Sequence, residues 1–158
     1  MIPISLRILL LLASLSGAMA VAIGAMGAHS LPKQLEARGL SESEVEKKVH
    51  QCELGTRYQM VHALAILVIV LTGHALRSRA ATIAAILMLL GTVGFAGGLY
   101  SIVFADNIIH WSIVPLGGSL FILGWISLAI SSFLRNDSSL AVSQHSPSFP
   151  TSSRNTPQ

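Results

Sequence analysis

Charge is what this chain has least of. Only 11% of its 158 residues are Asp, Glu, Lys or Arg, against about 25% in an ordinary soluble domain. The shortage is uneven, because it comes from apolar runs of about 20 residues, the length that crosses a hydrocarbon layer about 30 Å thick. No acidic residue falls inside any of these runs. There is one cysteine, Cys52, which excludes an internal disulfide and a multi-cysteine metal site within one chain. No acid/base pair is placed around a serine or that cysteine, so nothing supports nucleophilic catalysis of the soluble kind. The formal charge of +3 is too small to argue for nucleic acid. Most basic residues flank apolar runs, where they set membrane orientation.

What is present is four long apolar runs, at about 8–26, 58–76, 80–104 and 112–133. They predict an all-α integral membrane bundle of four transmembrane helices occupying residues 1–135, embedded in the lipid bilayer. From 136 to 158 the chain is rich in Ser, Pro, Thr, Asn and Gln, a composition that cannot bury enough surface to fold, so this tail is expected to be disordered. The first run resembles a secretory signal, since Ala18-Met19-Ala20 fits a small-residue cleavage site. Its apolar stretch nevertheless continues to Met26, beyond the usual ~7–15 residues. Ser16, Ala20, Gly24 and Ala28 recur every fourth position and make a strip for close helix packing. A retained first span is the preferred reading.

The polar connection, residues 30–57, carries helix punctuation. Pro32 suits the first turn of a short helix ending at Gly39. Ser41 with Glu44 reads as a capping box. The helix that follows places Val45, Val49 and Cys52 on one side, which suits a short amphipathic helix on the membrane surface. Four crossings put both termini on one face, with Arg7, Arg77, Arg79 and Arg135. Lys33, Arg38, Lys47, Lys48 and Arg57 lie on the other. The count of basic residues does not separate the faces, although three lie directly at helix ends on the terminal side and point to termini inside.

The same crossings gather His29, Tyr58, Gln59, His62, Tyr100 and His110 at one membrane face. Tyr58 and His62 are four apart and share a side of their helix. A ring of interfacial histidines suits a metal, a haem or a proton relay, whereas the plainer reading is hydrogen bonding between helices. The plainer reading is preferred, since no two histidines have the i, i+4 spacing of a metal-binding helix. Hence no cofactor is expected, and Tyr58, Gln59, His62 and His29 are expected to form one hydrogen-bonded cluster. In the third run Gly94 and Gly98 form a GxxxG pair for close approach of a neighbour. In the fourth, Pro115 is followed by Gly117 and Gly118, and a proline inside a span is expected to kink it.

The blocks GAMGAHSL, YQMVHALA, GFAGGLYS and IVPLGGSLFILGW appear in this order. Across roughly residues 5–133 they resemble the YgdD-like family of small four-span bacterial inner-membrane proteins of unknown function. The resemblance implies four membrane helices and a cytoplasmic-membrane location, and it supplies no reaction, substrate or cofactor. Three positions depart from the expected pattern. Val61 stands where an aromatic is expected, Gly98 where Ser is, and Val114 where Thr is. Losing two hydroxyls argues against a polar path through spans three and four. The functional expectation is a non-enzymatic structural or interaction component, working as a homo-oligomer or within a larger membrane complex. The alternatives are an oligomeric carrier of small molecules or ions, and a haem- or metal-binding protein.

Overall fold

The computed structural model describes residues 3–106 and 112–133. The expected tail at 136–158 and the candidate His110 lie outside them. The described chain forms six helices: α1 Ile4–His29, α2 Leu31–Ala37, α3 Glu42–Leu71, α4 His74–Arg77, α5 Arg79–Ala105 and α6 Ile113–Phe133. Four of these, α1, α3, α5 and α6, are long and apolar enough to cross a membrane. No strand occurs among the described residues.

The spans stand in a row. α1 packs on α3, α3 on α5 and α5 on α6, each pair antiparallel, while α3 and α6 scarcely approach one another. The inner helices α3 and α5 bury 39% of their apolar windows, the outer α1 and α6 only 17%. With lipid as apolar as leucine, the contacts depend on close packing rather than on hydrophobic burial. Small residues provide that closeness. On α1, Ala13, Ala20 and Gly27 are buried at seven-residue intervals. A side chain on Gly27 would meet the Cys52 sulfur, and one on Gly24 would touch Thr56. On α5 and α6 the fit is tighter still. A Cβ on Gly117 would lie 2.2 Å from the Phe95 backbone nitrogen, and one on Gly91 would collide with the Phe121 ring. Gly94 faces the Gly117 backbone, and Gly98 faces Val114. Gly118 touches the Phe95 ring only lightly.

Local chemistry sets the helix ends. Pro32 sits in the first turn of α2, and Gly39 closes that helix with φ +81°. Ser41 and Glu44 cap α3 reciprocally, and the Ser41 hydroxyl and N–H hold the Glu44 carboxyl below its ordinary pKa. Three expectations need correction. The amphipathic stretch after Ser41 is not a separate surface helix: it runs without a break into the second span as the 30-residue α3. No proline or turn signal lies between them to end it. That span stops at Leu71 rather than Leu76, because Thr72 Oγ1 donates to the Val68 carbonyl and Gly73 turns the chain with φ +69°. Finally, Pro115 does not kink a span. α6 begins at Ile113, so Pro115 occupies its first turn, where an absent N–H leaves no helix bond unmade.

A charged clasp ties the ends of α2, α3 and α5. Asp106, in the left-handed conformation that ends α5, accepts from Arg38 and from Lys48 Nζ at 2.6 Å. Lys48 also donates to the Ile102 carbonyl at 2.8 Å, one of the unpaired acceptors of the last turn of α5. Burial pushes the Lys48 ammonium below its ordinary pKa, and the nearby Arg38 charge adds to this. The opposite end is held by two hydrogen bonds: Ser127 Oγ donates to the Ala80 carbonyl, and His74 Nε2 lies 2.7 Å from Ser131 Oγ.

The packing makes a direct prediction. Gly117→Ala forces a methyl into the α5 backbone and should destabilise the protein in detergent by about 1–3 kcal/mol. Gly97, with no atom within 4 Å of its Cβ position, should accept alanine without loss. Equal thermal midpoints for the two variants would contradict this account of the α5–α6 contact.

Candidate functional site

Polar side chains converge at mid-chain of α3. Gln59 is 1% exposed and His62 2%. Their burial follows from three-to-four-residue spacing, with Cys52, Gly55, Gln59, His62, Ala63 and Ile66 on the packed side of α3. Gln59 bridges three helices. Its Nε2 donates to the Ser16 carbonyl of α1 at 2.9 Å, and its Oε1 accepts from Tyr100 Oη of α5 at 2.7 Å. Gly55 makes that second bond reachable, because the Tyr100 ring lies across it, 2.7 Å from where a Cβ would stand.

His62 faces the other way, towards α6. Its Nδ1 is 2.7 Å from the Tyr58 carbonyl, which can only accept, so Nδ1 carries the proton. Nε2 is then a bare acceptor, and Trp125 Nε1–H donates to it at 3.1 Å. The imidazole lies flat on the Phe121 ring, with centroids 3.5 Å apart and planes within 8°. Tyr58 stacks against the same group from the groove side and lies 4.9 Å from the Phe95 ring. The rings therefore span the gap between α3 and α6 that backbone packing leaves.

Beside them runs an open groove of about 630 Å³, walled by Arg57, Tyr58, Val61 and His62 of α3 and by Pro115, Gly118, Ile122 and Trp125 of α6, with Phe95 of α5 among its lining. A second hollow of about 350 Å³ shares Val61 and Trp125 with it and is lined further along by Val68, Thr72 and His74.

Of the expected site residues, the structure brings Tyr58, Gln59, His62 and Tyr100 together. It leaves His29 out, exposed at the end of α1 and without a bond to the group. Ser16 and Phe121 belong to the network although the sequence signalled them only as small or apolar span residues, and Trp125 belongs to it as well, marked beforehand only as the last residue of the IVPLGGSLFILGW block. Both nitrogens of His62 and both polar atoms of Gln59 are engaged, and among the described residues no buried side-chain nitrogen or oxygen lacks a partner. Such an arrangement fixes helices. It presents no nucleophile, base or open ligand position.

The bridge is testable by a double-mutant cycle of Gln59→Leu and Tyr100→Phe. A membrane interhelix bond contributes about 0.6 kcal/mol on average and up to about 1.7. The cycle should give a coupling in that range, read from unfolding in detergent. Strict additivity of the two losses would remove the bridge.

Comparison with known proteins then gives the family. The pattern of the family described as Protein of unknown function (DUF423) matches residues 23–118. A UPF0382 membrane protein of Haemophilus influenzae is 43% identical over 126 residues, covering 78% of this chain and 92% of its own length. The UPF0382 membrane protein YwdK of Bacillus subtilis is 30% identical over 127 residues, with 80% and 96% covered. No solved structure matches. With four apolar spans in a row and relatives that match nearly end to end, the chain belongs to this DUF423 family of UPF0382 membrane proteins, multi-pass and of unknown function.

Proposed function

We propose that the protein is a non-catalytic interaction component of a bacterial inner membrane, kin to the YgdD-like members of its family. One observation carries the reading: the polar groups inside the spans are used up on each other. Gln59, His62 and Tyr100 join α1, α3, α5 and α6, and Thr92 Oγ1 folds back to the Met88 carbonyl. A carrier needs polar groups free to exchange partners with its cargo, and a haem or zinc protein needs an imidazole nitrogen with a free lone pair. The single lone pair on the His62 ring is taken by Trp125. What the protein offers its surroundings is the outer surface of the row, above all the lightly covered α1 and α6, in a homo-oligomer or a larger complex.

Two measurements test this. Protein purified in mild detergent should show no Soret band, and an absorption band lost in His62→Ala would establish the redox reading instead. Proteoliposomes carrying an internal pH dye should collapse an imposed proton gradient no faster than protein-free vesicles. Acceleration abolished by Gly118→Leu, which fills the groove, would establish transport.

A further inference from the structure

We propose that the α3–α6 groove is a binding site for one anionic phospholipid, with its head on Arg57 and an acyl chain along the groove. The chemistry of the walls points to an amphiphile. Below the mouth the polar groups are sealed: His62 is bonded at both nitrogens and covered by Phe121, and Trp125 Nε1 is spent on His62. The groove therefore offers hydrocarbon and aromatic surface, from Tyr58 through Val61 and Ile122 to the second hollow. Only an apolar chain gains by lying there.

The mouth is different. Arg57 lines it and is exposed, one residue before the apolar run of α3 begins, which is headgroup depth. Among the described residues the ion pairs are Arg38 and Lys48 with Asp106, so Arg57 has no carboxylate partner. Glu53, one turn earlier, is exposed and makes no bond to it. An unpaired guanidinium there can hold a phosphate, since it binds phosphate oxygens in a fork, and its charge favours a head group that is net negative over a zwitterionic one.

Length agrees with charge. From Arg57 to Thr72, 15 residues of helix rise about 22 Å, and one leaflet's hydrocarbon is about 15 Å deep. A chain anchored at Arg57 thus fits within the groove. Two gaps in the wall make the room. Val61, which lines both hollows, is short, and Gly118 carries no side chain. A helix from a partner could cover the same surface, but it would leave the Arg57 charge unanswered unless it brought an acid to that depth.

Trp125 lies in the groove and serves as the reporter. In a Trp111→Phe background it is the only tryptophan. The protein is reconstituted in phosphatidylcholine with a minor fraction of phosphatidylglycerol, and bromines are placed on the acyl chains of one lipid or the other. Brominated phosphatidylglycerol should quench Trp125 about fivefold more, per lipid, than brominated phosphatidylcholine, the ratio expected from one basic residue. Arg57→Gln should erase the preference, and Val61→Phe should weaken quenching by both lipids. The proposal is overturned by equal quenching in the unmodified groove, by a preference that survives Arg57→Gln, or by a Trp125 that neither lipid reaches. As a check that needs no tryptophan exchange, native mass spectrometry of the wild-type chain should show one retained phosphatidylglycerol, absent in Arg57→Gln. Retention in that variant would also overturn it.

Discussion

The packing of the first three spans depends on the Gln59 amide. A primary amide in hydrocarbon has no water to turn to, and each unmet polar atom there costs several kcal/mol. Gln59 answers this by taking the Ser16 carbonyl from one neighbour and the Tyr100 hydroxyl from the other. Its bonds have direction and apolar packing does not, so the amide sets the relative height of α1, α3 and α5. The glycines then permit what the amide specifies. Gly55 admits the Tyr100 ring, and the small residues of α1 let that helix come close enough for its carbonyl to be reached.

The fourth span is held by a different logic. α6 sits on α5 through missing side chains, at Gly91, Gly94, Gly98, Gly117 and Gly124, and reaches α3 only through aromatic rings and the His62–Trp125 bond. Two of the chain's departures from the expected family pattern meet here. Gly98 and Val114 lie against each other, with the place for a Cβ on Gly98 2.7 Å from a Val114 methyl. What the resemblance leads one to expect as a pair of hydroxyls is in this chain one apolar contact. The glycine makes room for the valine methyl.

Four spans, the capping box and the polar hub on α3 were legible because each rests on local sequence. Twenty uncharged residues have one use in a membrane, Ser41 and Glu44 are three apart, and polar side chains in an apolar run must be paired. What was not legible depends on rotation and on partners distant in the chain. His29 looked like a member of the hub by depth alone. The packed strip of α1 runs Ala13, Ala20, Gly27, and two residues beyond Gly27 the helix has turned about 200°. Height was wrong as well, since Gly27 stands against Cys52 and Gly24 against Thr56, which leaves His29 several residues short of the level of Gln59 and His62. The groove beside Arg57 was hidden for the same reason, since nothing local says that α3 and α6 stand apart on its side. Pro115 was misread although the expected start at 112 already put it in the first turn of the helix, where a missing N–H breaks no helix bond.

One element outgrows its layer. α3 is a single helix of 30 residues, about 45 Å long, in a hydrocarbon slab about 30 Å thick. Its half before the apolar run, from Glu42 to Arg57, carries Lys48 of the charged clasp, while the apolar half carries Gln59 and His62. No proline interrupts it. The clasp and the hub therefore sit on one unbroken rod, and neither can turn about the helix axis without turning the other.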